Sequence, residues 1–142
     1  MKETLKKVIG LLGYEVRKKK INFFKKNKID LIIDIGAHEG NFAVEILNEG
    51  FKGKILSFEP QSQVYLKLKN KSKKYKNWFI HERCGIGKNN QTSILNVMSE
   101  TTCSSYLKPN KNLFSIDPYS KIINKEKTKI FSLNFLFSKK YK

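Results

Sequence analysis

The sequence predicts an α/β chain built on a parallel sheet, and three observations predict it. Leu31-Ile32-Ile33-Asp34-Ile35 is an apolar run without polar alternation that breaks at Gly36 and Gly40, the pattern of a strand covered on both faces that enters a turn and a helix. A second short run, Lys54-Ile55-Leu56-Ser57-Phe58-Glu59-Pro60, follows a stretch that carries Phe42, Ala43, Ile46 and Leu47 on one helical face. Strand, helix, strand requires a parallel pair joined by a right-handed crossover. A third run, Trp78 to Cys84, repeats the step after another helical segment.

Each element has its own justification. In residues 1–28, Leu5, Val8, Ile9, Leu12 and Val16 recur at helical spacing with Lys2, Lys6 and Lys7 opposite, which predicts a basic amphipathic helix packed on the domain edge. Ile21-Asn22-Phe23-Phe24 then makes a connection or a second short helix. Residues 29–142 form the domain proper. Gly50 stands where a glycine ends the crossover helix, and Pro60 stops the second strand. Ser62 is the expected N-cap of a helix with Val64, Tyr65 and Leu68 that runs to about Asn77. The third strand stops at Gly85, and Lys88-Asn89-Asn90-Gln91 turns it into a strand over Thr92–Met98, as in a hairpin. Ser99 to Ser120 reads as a loop, and Lys129 to Phe137 as one more strand or a short helix.

With 142 residues the chain is long enough for one domain with a core. Its 29 Lys and Arg against 12 Asp and Glu give a formal charge of +17, which attracts anions in general. Most of the excess is lysine scattered through the chain, whereas phosphate readers cluster arginine, so a nucleic-acid partner is disfavoured. Cys84 and Cys103 form neither a CxxC pair nor a metal-ligand spacing with histidine, so no metal site is expected and a reducing cytoplasm fits. The short apolar segment Val8–Leu12 lacks a cleavage site, and no apolar run approaches the roughly 20 residues of a membrane span.

The chemistry sits where the first strand ends. A dinucleotide loop needs Gly-x-Gly-x-x-Gly, but here Asp34-x-Gly36-x-x-x-Gly40 places His38 at the second glycine, and a pyrophosphate would meet its side chain. S-adenosylmethionine needs less: a glycine turn for its amino-acid part and an acid at the end of the next strand for the ribose hydroxyls. Glu59, about twenty residues past the loop, has the position of the ribose acid in nucleotide-binding folds.

Four stretches resemble the FkbM family of S-adenosylmethionine-dependent methyltransferases: Asp34 to Ala43, Gly53 to Pro60, His81-Glu82-Arg83-Cys84-Gly85-Ile86-Gly87, and Ser104-Ser105-Tyr106-Leu107. The resemblance implies a Rossmann-like class I methyltransferase fold that is incomplete, comprising the first three parallel strands with their helices and an extra hairpin strand. It places Gly36, Ala37, His38 and Gly40 around the methionine part of S-adenosyl-L-methionine, Glu59 at the ribose and Cys84 near the adenine, and counts Asp34 and Phe42 among the cofactor-binding residues. It implies O-methylation of a sugar, glycan or other small hydroxylated acceptor, and points to no catalytic base. Members of the family continue into a fourth parallel strand beside the first, so the resemblance implies a truncated portion whose first strand is an unpaired apolar edge. The alternatives are a non-catalytic remnant and a basic protein that binds or methylates RNA.

Overall fold

The computed structural model describes residues 20–109 and 121–140. The amphipathic helix expected over Leu5 to Val16, and residues 110–120 of the loop expected over Ser99 to Ser120, lie outside the described residues. In chain order the elements are α1 (Lys20–Lys26), β1 (Leu31–Ile35), α2 (Asn41–Asn48), β2 (Lys54–Phe58), α3 (Ser62–Ser72), β3 (Trp78–Ile80), β4 (Gly85–Ile86), β5 (Gln91–Met98), a 3-10 turn (Thr101–Cys103), β6 (Ile122–Phe131) and α4 (Leu133–Lys140).

The chain is mixed α/β, and its first sheet is parallel in the order β1-β2-β3. Leu31 pairs with Lys54 and Ile35 with Phe58, while Ile55 pairs with Trp78. Two right-handed crossovers stepping in the same direction leave their helices on the same face. That face holds the core: Ile32, Ile55 and Trp78 from the sheet, Ile21 from α1, Ala43 and Ile46 from α2, and Leu68 from α3. The α1 backbone is tied in as well, since Ile21 N–H donates to Glu49 Oε2 at 2.9 Å.

The opposite face corrects the expectation that β1 is covered on both sides. Leu31, Ile33 and Ile35 are 37 to 51% exposed, and only Ile32 is buried. The same strand order explains it, because no crossover helix reaches that face. Among the described residues β1 is also an edge strand, as expected for a first strand without a neighbour.

Helix α2 ends as its sequence demands. Gly50 takes φ +94°, its N–H donates to Leu47 O at 3.0 Å, and Phe51 N–H reaches back to Ile46 O at 3.1 Å. This is a Schellman closure, with Phe51 and Ile46 meeting in the core.

Three boundaries differ from expectation. Helix α3 stops at Ser72, before Asn77, and its N-cap is Gln61, so Ser62 is the first helical residue. Strand β3 ends at Ile80; His81 N–H still donates to Ser57 O at 3.0 Å, but β2 then turns away at Pro60. Residues 81–84 cross to a second sheet of order β4-β6-β5. The expected hairpin does not form, because β3 stays in the first sheet and β5 pairs with β6, which lies between it and β4, parallel to β4 and antiparallel to β5. The apolar run Lys129–Phe137 is both of the things expected of it, a strand to Phe131 and a helix from Leu133.

Candidate functional site

The carboxyl ends of β1 and β2 meet at a turn that the backbone holds tightly. Gly36 and Ala37 both donate their N–H to Phe58 O, at 2.9 and 3.0 Å, which ties the glycine turn to the end of β2. Gly36 has φ +73°, and a Cβ there would meet nothing within 4 Å. Its glycine serves the left-handed backbone and leaves open space above the turn. Gly40 has φ +79° and caps α2, but a Cβ there would press on the Trp78 ring and lie 2.7 Å from Leu68 Cδ1. The two glycines therefore do different work: Gly36 faces open space, and Gly40 lets α2 pack against β3 and α3.

Glu59 follows β2 and is only 6% exposed. Its Oε2 accepts from His38 N–H at 2.8 Å and its Oε1 from Gln61 N–H at 2.9 Å. One carboxylate thus joins the glycine turn to the β2–α3 turn. Each oxygen keeps a lone pair for a further donor. Burial pushes the Glu59 carboxyl above the ordinary glutamate range, opposed by the two backbone N–H bonds. His38 adopts φ +49°, uncommon for a residue with a Cβ, and its Nε2 lies 2.8 Å from Thr101 Oγ1. The glycine turn is so linked to the 3-10 turn after β5.

Two adjoining cavities open here. One, of about 240 Å³, is lined by Gly36, His38, Glu59, Pro60, Leu95, Thr101, Thr102 and Ser104. The other, of about 200 Å³, shares Gly36, Pro60, Leu95 and Ser104 and adds Ile35, Phe58, Cys84, Gly85, Ile86, Ser105 and Tyr106. Neither wall carries a lysine or an arginine, although the chain has 29 of them. A third, apolar cavity of about 310 Å³ lies beyond Phe58, between Leu56, His81 and the phenylalanines of α4.

Of the eight residues singled out in the sequence, Gly36, His38, Glu59 and Cys84 line this cleft. The other four do not. Ala37 and Phe42 pack on the helix-covered core, and Gly40 faces Trp78. Asp34 accepts from Ser57 Oγ at 3.0 Å, and Ser57 Oγ in turn accepts from Trp78 Nε1 at 2.9 Å. Asp34 thereby ends a polar chain threaded through the sheet, and burial raises its carboxyl above the ordinary aspartate range, opposed by the Ser57 bond. Cys84 is fully buried, with Sγ 3.4 Å from His81 Nδ1, and desolvation followed by the Glu82 charge pushes its thiol up to about 11. A thiol so placed is a wall atom rather than a nucleophile.

The cleft also has a hydroxyl wall, made by Thr101, Thr102, Ser104 and Tyr106, whose OH lies 2.8 Å from Thr128 Oγ1.

 None of these was singled out by spacing, since the turn that carries them reaches the site from about 60 residues away in sequence and is held by the Asn96–Ser105 bridge and the His38–Thr101 contact. Ser104 to Leu107 did stand out in the sequence as part of a resemblance, without a role attached.

Fold and site together define a mixed α/β chain with a ligand-sized cleft at the carboxyl ends of parallel strands. No protein-family model matches the chain, and searches of curated proteins and of solved structures found no similar protein. Among the described residues no helix is long and apolar enough to cross a membrane, and no group of three or more His, Cys, Asp and Glu side chains is placed to hold a metal ion.

Proposed function

We propose that this cleft is the methyl-donor site of an S-adenosylmethionine-dependent methyltransferase of the FkbM type, built on a Rossmann-like sheet and acting on a hydroxyl of a sugar or other small acceptor. The observation that carries the reading is Glu59: a buried carboxylate at the end of β2, facing a glycine turn, in a cleft whose walls bear no lysine or arginine. Ligands of open α/β sheets bind at the carboxyl ends of the strands. The two free lone pairs of Glu59 suit the vicinal hydroxyls of a ribose, and an anionic cleft suits a sulfonium rather than a phosphate.

When bound, the donor supplies an electrophilic methyl group. The chain's own residues would then bind and orient: Gly36 leaves room over the turn, Glu59 holds the diol, and Phe58, Leu95 and the Cys84 side chain form the apolar wall.

 Alignment of donor and acceptor supplies most of the rate in such a transfer. A nucleic-acid acceptor draws support from the overall charge alone, and the cleft walls do not share that charge.

The test is a titration of the ¹⁵N-labelled chain with S-adenosylmethionine, with ATP and NAD as phosphate-bearing controls. The expected result is weak, saturable shifts of the Gly36, His38 and Thr101 amides that the controls do not reproduce and that Glu59→Ala removes. Unchanged amides around Gly36 at millimolar donor, or equal shifts with ATP, would overturn the reading.

A further inference from the structure

Helix α3 lacks a cap of its own, because the Gln61 side chain makes no capping bond. The missing acceptor arrives from the second sheet. Glu126, on β6, accepts from Ser62 N–H at 2.8 Å through Oε2 and from Ser62 Oγ at 2.7 Å through Oε1. Arg83 Nη1 donates to the same Oε2 at 3.0 Å and to Pro60 O at 3.0 Å, while Nη2 reaches Lys127 O at 3.3 Å. The pair is sheltered, with side chains 34% and 12% exposed for Arg83 and Glu126. The Lys67–Glu39 pair is far more open, at 65% and 33%, and pairs of that kind contribute little.

What these bonds grip is the turn that carries Glu59. Pro60 is held through its carbonyl, Ser62 through its N–H and hydroxyl, and Gln61 N–H closes onto Glu59 itself. From there Glu59 Oε2 reaches His38 N–H. We propose that Glu126, acting with Arg83, is a positioning residue for Glu59: a carboxylate in the second sheet sets the turn that aims the cleft's own carboxylate at the glycine turn. The geometry couples two sheets that share no strand, so loosening β6 from α3 releases Glu59 and, through it, His38.

Only the consequence for ligand binding rests on the methyl-donor reading, so the first measurement needs no ligand. Amide hydrogen exchange of the full chain is compared for wild type, Glu126→Ala and Glu126→Gln. In Glu126→Ala the His38 and Gln61 amides are expected to lose about tenfold or more of their protection, the loss of roughly one hydrogen bond, while Phe51 and Ile55 keep theirs. Glu126→Gln still presents an acceptor to Ser62 N–H and Arg83, and should retain protection at His38 and Gln61. A plain helix cap would affect Ser62 and the first turn of α3 and leave His38 unmoved. Unchanged His38 exchange, or an equal loss at Phe51 and Ile55, overturns the proposal. Should Glu126→Ala fail to fold, Arg83→Lys tests the same link, since a lysine cannot bridge Pro60 O, Glu126 and Lys127 O together; the same two amides are expected to respond. Titration with S-adenosylmethionine then separates the two readings. Loss of His38 protection with no donor binding in any variant leaves the positioning role standing and removes the donor assignment.

Discussion

Alanine at Gly40 and at Gly36 tests whether the two glycines of the turn do different work. Both have positive φ, +79° and +73°, so either substitution forces an L-residue into the left-handed region at about 1–2 kcal/mol. Both also stiffen the unfolded chain to the same degree, and that contribution cancels in the comparison. The sites differ only in what the new methyl meets. At Gly36 nothing lies within 4 Å, whereas at Gly40 it meets Trp78 Cζ2 at 2.5 Å and Leu68 Cδ1 at 2.7 Å. Trp78 is 4% exposed and Leu68 fully buried, so neither has room to withdraw. Overpacking of this kind costs about 1–3 kcal/mol. Gly36→Ala is therefore expected to destabilise by about 1–2 kcal/mol and Gly40→Ala by about 2–5 kcal/mol. Urea unfolding followed by the fluorescence of Trp78, the only tryptophan, measures both. Trp78→Phe in the Gly40→Ala background removes the clashing ring atoms and should recover part of the loss, followed by circular dichroism in a double-mutant cycle. Equal destabilisation at the two glycines would refute the assignment of Gly40 to packing.

Two further outcomes follow from the same geometry. Burial raises the Glu59 carboxyl, so the folded state holds this proton to higher pH than the unfolded chain does. The stability it contributes is full below the ordinary glutamate range and is lost as pH rises through the folded value. Glu59→Gln should flatten the fall in unfolding midpoint as pH rises above the ordinary glutamate range, and an unchanged slope would show that other groups set it. Asp34, also raised by burial, keeps a residual slope of the same sign. Ile33→Lys places a charge on the bare face of the edge strand, where Ile33 is 37% exposed. It should reduce concentration-dependent light scattering with a stability change within about 1 kcal/mol, and unchanged scattering would show that association runs through another surface.

The contiguous part of the architecture was legible because its signals are local. Leu31–Ile35, the crossover helix with Gly50 behind it, and Lys54–Phe58 all carry their own periodicity and stop residues. The residues that complete the cleft were not legible, since Thr101 and Tyr106 are held there through long-range bonds that no spacing encodes. Strand β6 is intermediate. Glu126, Thr128 and Ile130 alternate with Lys125, Lys127 and Lys129, a period of two that went unassigned before Lys129. Gly40 misled for a different reason: a positive-φ glycine beside a site looks the same in sequence whether it faces a ligand or a tryptophan.

Charge and site in this chain answer different questions. The lysines of β6 and α3 lie on outward positions, where they govern solubility and long-range attraction. Around the cleft the balance reverses, with Glu59 buried in the wall and Glu100 beside the 3-10 turn that frames it. A phosphate drawn in by the overall field would meet a buried carboxylate and no lysine or arginine on the walls. Only a ligand that brings its own donors can satisfy the free lone pairs of Glu59 once water is displaced, because a carboxylate accepts and does not donate. The local acid, rather than the net charge of +17, is therefore what any ligand of this cleft has to match.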